Sequence, residues 1–586
     1  MPAPTPPEWD LTPLFANEKT FHAALQRIEA RVDAFQKYQK KLPHATRALI
    51  QEIMEEKEAL GNEMSRAGAY AALSFAQNTQ DEHAKTRESV LGRKSMQWRN
   101  KTLFFSMWWK SLDEKKMNAL LPPNKEYAFT LKEMHKYRHY TLSEAEEKII
   151  NIKDSTGGDA LVTLYDVITN AFTYEWKNST EKEKIQKISE EELRAKFSNP
   201  HAETRKRAYD LLWEKYAEHQ PVLGEIYRNT ALDMWNEGIA LRKYEKPISM
   251  RNKANDLDDE MVEAFLNVCK NEVEVFQDYH AWKAKELHVP LERYHLYAPF
   301  DMPKSEWSFE DAQKTVMNTL EDFSPRFRKE AERVIVEKRL DAKLRPGKQS
   351  GAFCMGHSPR ETSYVMMNWS GRLRDVSTLA HELGHAVHNH LASERTLFTH
   401  HAGLPLAETA STFAEMLLSE KMMSETRDEN VKKYLLGHQL DDAYATIQRQ
   451  AFFSLFEQDA FDLIHAGKTI PDLTEAYREN LRTQFGKKMK MPEKSAHEWL
   501  VIPHFFHSPF YVYAYAFGQL LVYAFFEQYQ REGKDFVKRY EKFLSYGGSE
   551  HPEKMLLEMG FDPRKKKSWK DGYRLLEKKI REIKKI

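Results

Sequence analysis

His381-Glu382-Leu383-Gly384-His385 places two imidazoles four residues apart. On a helix both lie on one face and can reach one Zn²⁺ through ring nitrogens at ~2.0–2.1 Å. Glu382 stands on the flank of that face, where a carboxylate can take a proton from an attacking water without occupying a coordination position. Farther along come Glu408-Thr409-Ala410-Ser411 and, one heptad after Glu408, Glu415. The combination suits metal-assisted hydrolysis.

The five-residue motif alone is weak, because a chain of this length and His/Glu content contains it by chance roughly one time in ten. The elements that carry it decide. Val376, Ala380, Leu383, Val387 and Leu391 recur at helical spacing opposite His381 and His385, so one face meets a core and the other a polar cleft. Asp375 reads as the N-cap of that helix. A second helix, expected near 404–423, divides in the same way, with Leu406, Ala410, Phe413 and Leu417 on one side and Glu408, Ser411, Thr412 and Glu415 on the other. Carboxylates on one wall and histidines on the other can close a metal site. The competing reading is a pair of half-buried histidines satisfied by nearby carboxylates.

His388 lies three residues after His385 on the same face, yet a helix rises ~10.5 Å from 381 to 388, too far for one small ion to bind all three histidines. It is expected as a supporting or cleft residue. The longer pattern, in which a glycine precedes a third histidine, is absent: His388 and Leu391 occupy those positions.

The chain has 586 residues and 41% hydrophobic content, enough for a sizeable core, and its 88 basic and 88 acidic residues cancel. No global field favours nucleic acid or an anionic membrane. Two cysteines, Cys269 and Cys354, make no disulfide framework and fit a reducing, cytoplasmic compartment. Met1-Pro2-Ala3-Pro4-Thr5-Pro6-Pro7 reads as no secretory signal. No Asp, Glu, Lys or Arg occurs between Glu498 and Glu527, but Pro503, His504, His507, Ser508, Pro509 and several tyrosines suit a buried helix beside a cleft better than a membrane span.

Helical periodicity runs from about 20 to 120, as in Phe21, Leu25, Ile28, Val32 and Phe35. Pro122-Pro123-Asn124 and Thr156-Gly157-Gly158 interrupt it, and a boundary between lobes is placed near 190. Arg293-Tyr294-His295-Leu296-Tyr297 and Ser363 to Trp369 are the best strand candidates. The second follows Gly351-Ala352-Phe353 and precedes the histidine helix, where an edge strand could pair with the backbone of an extended peptide. A purely structural hairpin is the alternative.

These residues resemble the M3 family of zinc metallopeptidases, in its oligoendopeptidase F branch. The resemblance rests on Gly351-Ala352-Phe353, on Ser377 through His388, on Ala407-Glu408-Thr409-Ala410-Ser411-Thr412, and on Ile502-Pro503-His504-Phe505-Phe506 leading to Phe510-Tyr511-Val512-Tyr513-Ala514-Tyr515. It covers about 200 to 580 clearly and the N-terminal part more loosely. It implies a mainly α-helical ellipsoid with a deep channel. With the boundary and strand candidates above, the expected fold is two-lobed with a small β-sheet near the site: an N-terminal lobe over 1–190 and a catalytic domain over 191–586. The resemblance further implies one Zn²⁺ held by His381, His385 and Glu408, Glu382 as general base and acid, Glu415 orienting a ligand histidine, and oxyanion donors in the 504–515 segment, where His504, His507, Tyr511, Tyr513 and Tyr515 compete for the role. With the strand reading above, Gly351, Ala352 and Phe353 are expected at the substrate. On one continuous helix His504, His507, Tyr511 and Tyr515 share a stripe at spacings of three and four, and that face is favoured over Tyr513. Core tyrosines with locally satisfied hydroxyls are the alternative.

The function implied is zinc-dependent endoproteolysis of short peptides. A helical zinc carboxypeptidase would instead need a cationic anchor for a terminal carboxylate, for which Arg360, Arg372 and Arg374 are near in sequence. An inert peptide-binding scaffold is the remaining rival.

Overall fold

A computed structural model describes residues 6–177, 185–301 and 306–586. Helices dominate both compact units into which the chain divides, so the mainly α expectation holds. The first unit comprises Met1–Thr141, Lys304–Glu425 and Gln528–Phe561; the second comprises Leu142–Pro303, Thr426–Glu527 and Asp562–Ile586. Each unit therefore draws on three separate stretches, and position 190 falls inside the second. No single cut in the sequence separates them.

In the first unit, α1 (Glu18–Phe35) starts at Asn17, whose side chain accepts the Thr20 N–H, and α2 (Arg47–Gln77) starts at Thr46, which caps Leu49. The predicted stripe Phe21, Leu25, Ile28, Val32 and Phe35 is buried. Its first four residues pack on Leu60, Ala67 and Ala71 of α2 and on Leu91 and Trp98 of α3 (Glu82–Ser111). Truncating such a side chain to alanine costs about 2–5 kcal/mol.

A three-stranded sheet follows, from β1 (Leu340–Asp341), β2 (Phe353–Met355) and β3 (Tyr364–Met366), in the order β1-β3-β2. β3 pairs parallel to β1 and antiparallel to β2, with Phe353 opposite Met366. The 363–369 expectation is thus a strand over Tyr364–Met366 only, and it is the central one; β1 and β2 are the edges. Asp341 is fully buried because Arg345 and Lys348 neutralise it at 2.6 and 2.7 Å, and Lys348 also donates to the Met367 carbonyl. That network ties the loop leading to Gly351 onto the sheet.

The histidine helix, α4 (Leu373–Leu391), packs on β2 and β3. Its N-cap is Arg372, not Asp375 as expected. Asp375 sits three residues in, and its Oδ2 accepts from the N–H groups of Ser370 and Arg372 and from the Ser370 hydroxyl. A carboxylate in the first turn also complements the helix dipole. Val376, Ala380, Leu383, Val387 and Leu391 are at most 3% exposed, as the periodicity predicts.

The second unit is built on Ala202–Trp235 with Arg449–His465, Ile470–Phe485 and most of Tyr513–Glu532. Trp213, Tyr227, Phe456, Trp499 and Phe505 are buried there. The strand expected at 293–297 is instead a 3₁₀ turn, Arg293–His295. Arg293 is buried against Glu498, 205 residues away in sequence, a pairing that no local pattern reveals. Among the described residues, no helix is long and apolar enough to cross a membrane.

Candidate metal centre

α4 crosses α5 (Thr409–Glu425) at Gly384. A Cβ there would stand 2.6 Å from Ser411 Cα and 2.7 Å from the Ala410 carbonyl oxygen, so only glycine admits this approach. The close crossing brings the histidines to Glu408, which occupies the break between Leu404–Ala407 and α5. Ser411 Oγ donates to Glu408 Oε2 at 3.0 Å and orients the carboxylate. From the other side Tyr540 donates to the Thr409 carbonyl at 2.9 Å, a support with no signature in the sequence.

His381 Nε2, His385 Nε2 and Glu408 Oε2 form a nearly equilateral triangle: 3.2 Å between the two imidazoles, 3.4 Å from His381 to Glu408 and 3.2 Å from His385 to Glu408. Ligands at ~2.0–2.1 Å from one tetrahedral ion lie ~3.3–3.4 Å apart, so the face fits a small divalent cation with its fourth position open. Two nitrogens and one carboxylate oxygen form a donor set suited to zinc. Glu415 Oε1 accepts from His381 Nδ1 at 2.5 Å, outside the triangle.

Burial disfavours a charged His381, but its bonds to Glu408 and Glu415 prevail and raise its pKa to about 10 in the absence of a cation. Burial likewise opposes the Glu408 carboxylate, and the two histidines overcome it, holding that carboxyl well below the usual range. Glu382, 5% exposed, has its pKa raised by burial, partly offset by the two histidines. Its Oε2 has no hydrogen-bond partner. Cys354 of β2 lies near enough that Glu382 adds to the effect of burial in pushing its thiol up.

His388 is buried and stands outside the triangle. Burial, with His385, His400 and His401 nearby, depresses its pKa to about 3, and its backbone partner is Ala407, the residue before Glu408. Gly351 has φ +83°, and its carbonyl accepts from Asn368 Nδ2 at 3.0 Å. Ala352 is half-buried, and Phe353 opens β2 against Trp9. Arg360, Arg372 and Arg374 are all exposed.

The 504–515 segment belongs to the second unit and is not one helix. Pro503–His507 and Tyr513–Glu532 flank a break in which Phe510 has φ +59°. The turn nonetheless gathers three of the four expected side chains. His504 stacks on Tyr511 with ring centroids 5.8 Å apart, Tyr511 meets Tyr515 edge-on at 5.3 Å, and the Tyr515 hydroxyl is 3.4 Å from His504 Nε2. His507 turns instead to Asp166, at 2.8 Å. Tyr513 points into the core, where its hydroxyl accepts from Asn255 at 2.8 Å.

The sequence pattern of Peptidase family M3 matches residues 195–575, and that of Oligopeptidase F matches 108–174. An Oligoendopeptidase F homolog of Borreliella burgdorferi is 29% identical, aligning over 99% of this chain and 98% of its own. Oligopeptidase PepF of Bacillus subtilis is 24% identical over 99% of this chain and 87% of its own. A solved chain from Chlamydophila abortus has the same fold at a TM-score of 0.90 and 22% identity, covering 99% of this chain and 98% of its own. Oligoendopeptidase-F from Enterococcus faecium aligns at 0.73 and 17% identity, over 97% and 99%. With the family pattern spanning more than half of its length, this chain belongs to peptidase family M3.

Proposed function

We propose that the chain is a zinc-dependent endopeptidase of short peptides, acting through His381, His385, Glu408 and Glu382. The donor triangle carries this reading: three ligand atoms at tetrahedral spacing, with a buried carboxyl one residue from a ligand histidine. Bound zinc would polarise the scissile carbonyl and lower the pKa of water.

Glu382 then has the proton-transfer role. Burial makes its carboxylate a stronger base than an exposed one, and its unpartnered Oε2 is available to accept the attacking water's proton and return it to the leaving amine. Glu415 holds His381 with Nδ1 protonated, which leaves Nε2 as the donor atom. An edge strand, β2, offers backbone groups to an extended peptide, with Gly351 and Ala352 just before it and Phe353 at its start, and such pairing is indifferent to most side chains. Tyr511 and Tyr515, gathered with His504 in the second unit, are assigned to the oxyanion, and His507 to bracing that segment through Asp166. Two unpaired cysteines accord with a cytoplasmic site of action.

The test is product analysis on a short peptide acetylated at its N-terminus and amidated at its C-terminus. Internal cleavage is expected. Failure to cut it, with stepwise release of C-terminal residues from the unblocked peptide, would assign a carboxypeptidase instead.

A further inference from the structure

The interior of the second unit contains an excess of buried hydrogen-bond donors around one carboxylate. Arg293, 1% exposed, donates from Nη2 to both oxygens of Glu498 at 2.7 and 2.9 Å, and Arg449 donates from Nη2 to the same carboxylate at 3.1 Å. Burial opposes the Glu498 charge, but the two guanidiniums prevail and keep its pKa low. The group therefore holds two positive charges against one negative. Lys283 and Asp441, in the same unit, neutralise each other at 2.6 Å and supply no counter-charge.

Several donors of this group have no partner. Arg293 Nε and Nη1, Arg449 Nε and the hydroxyls of Tyr297, Tyr444 and Tyr477 are all buried and unbonded. Tyr444 and Tyr297 lie with ring centroids 6.2 Å apart, and Tyr477 and Tyr444 both feel the charges of Arg293, Arg449 and Glu498. An unpaired guanidinium N–H in an interior is costly, and so is an uncompensated charge. One compact monovalent anion would answer both. A water molecule would leave the charge in place, and a divalent oxyanion would overcompensate it.

We propose that this cluster of Arg293, Arg449, Tyr297, Tyr444 and Tyr477 is a binding site for a chloride-sized monovalent anion. Arg449, 24% exposed, is the member of the group nearest solvent by exposure, while Arg293 and Glu498 are almost fully buried. The site is independent of the metal centre, whose residues all belong to the first unit. Its occupation stabilises the fold by linkage, because the anion binds the assembled donors and not the unfolded chain.

The experiment compares thermal melting of the full chain in sodium chloride and in sodium gluconate at equal ionic strength. The melting temperature is expected to be higher in chloride by about 2–4 °C and to climb with the logarithm of chloride concentration once the site is filled. The double variant Tyr444→Phe/Tyr477→Phe, which keeps both rings and removes two donors, should lose most of that difference. Crystals of the unaltered chain grown in sodium bromide provide a second measurement that does not depend on the variant folding: an anomalous peak is expected between Arg293 and Tyr444. Equal melting in the two salts, an undiminished chloride effect in the double variant, or bromide peaks only elsewhere would each overturn the assignment.

Discussion

Glu415 Oε1 lies 2.5 Å from Nδ1 of His381, joining two helices through residues 34 apart in sequence. The bond determines which imidazole nitrogen carries hydrogen, and so which one faces the donor triangle. Glu415→Ala should weaken zinc affinity about 10–100-fold while the helices remain folded. Competition with a chromogenic chelator, read beside circular dichroism, checks this. Unchanged affinity would reduce Glu415 to a surface carboxylate.

The same contacts set a pH dependence. With its pKa raised from the ordinary 6.5 to about 10, His381 stabilises the metal-free fold fully below about pH 6.5, and that contribution is lost as pH rises through about 10. Metal binding has the opposite requirement, since a ligand histidine must be neutral. Zinc binding at pH 8 should therefore release about one proton from His381, and affinity should climb with pH. Calorimetric titration in buffers of different ionisation enthalpy measures the release. None at pH 8 would mean that His381 is already neutral.

The tyrosines divide into two kinds. Tyr511→Phe or Tyr515→Phe should lower kcat by about 10²–10³ with little change in KM if that hydroxyl meets the oxyanion. Tyr513→Phe should leave turnover per folded molecule intact and cost about 1–3 kcal/mol, because it strands the buried Asn255 amide. Steady-state kinetics and melting temperatures on all three variants separate the roles. Unchanged kcat at both 511 and 515 would leave His504 as the remaining donor of the group.

What could be read from the sequence was what repeats locally. The apolar stripe of α4 and the face carrying His381 and His385 follow from a period of 3.6, and the three-dimensional burial agrees. Gly384 was visible as a letter, but the crossing it permits depends on Ser411 and Ala410 in another helix. Arg293-Tyr294-His295-Leu296-Tyr297 has strand composition, yet the pull of Glu498 on Arg293 accompanies a 3₁₀ turn. The stripe expected through 504–515 assumed one helix; the break around Phe510 rearranges it, and the rings of His504, Tyr511 and Tyr515 converge across a turn. Asp375 lies three positions after the N-cap, Arg372; a first-turn carboxylate and an N-cap look alike in sequence.

The division of labour between base and ligands is tested most directly by measuring zinc content and peptide turnover on one preparation of Glu382→Gln. One zinc per chain should remain, because Glu382 lies outside the donor triangle, while turnover should fall by about 10²–10⁴ as a general base is lost. A Glu382→Gln chain that keeps its zinc and hydrolyses peptides at the unaltered rate would contradict this assignment, as would one that has lost its zinc.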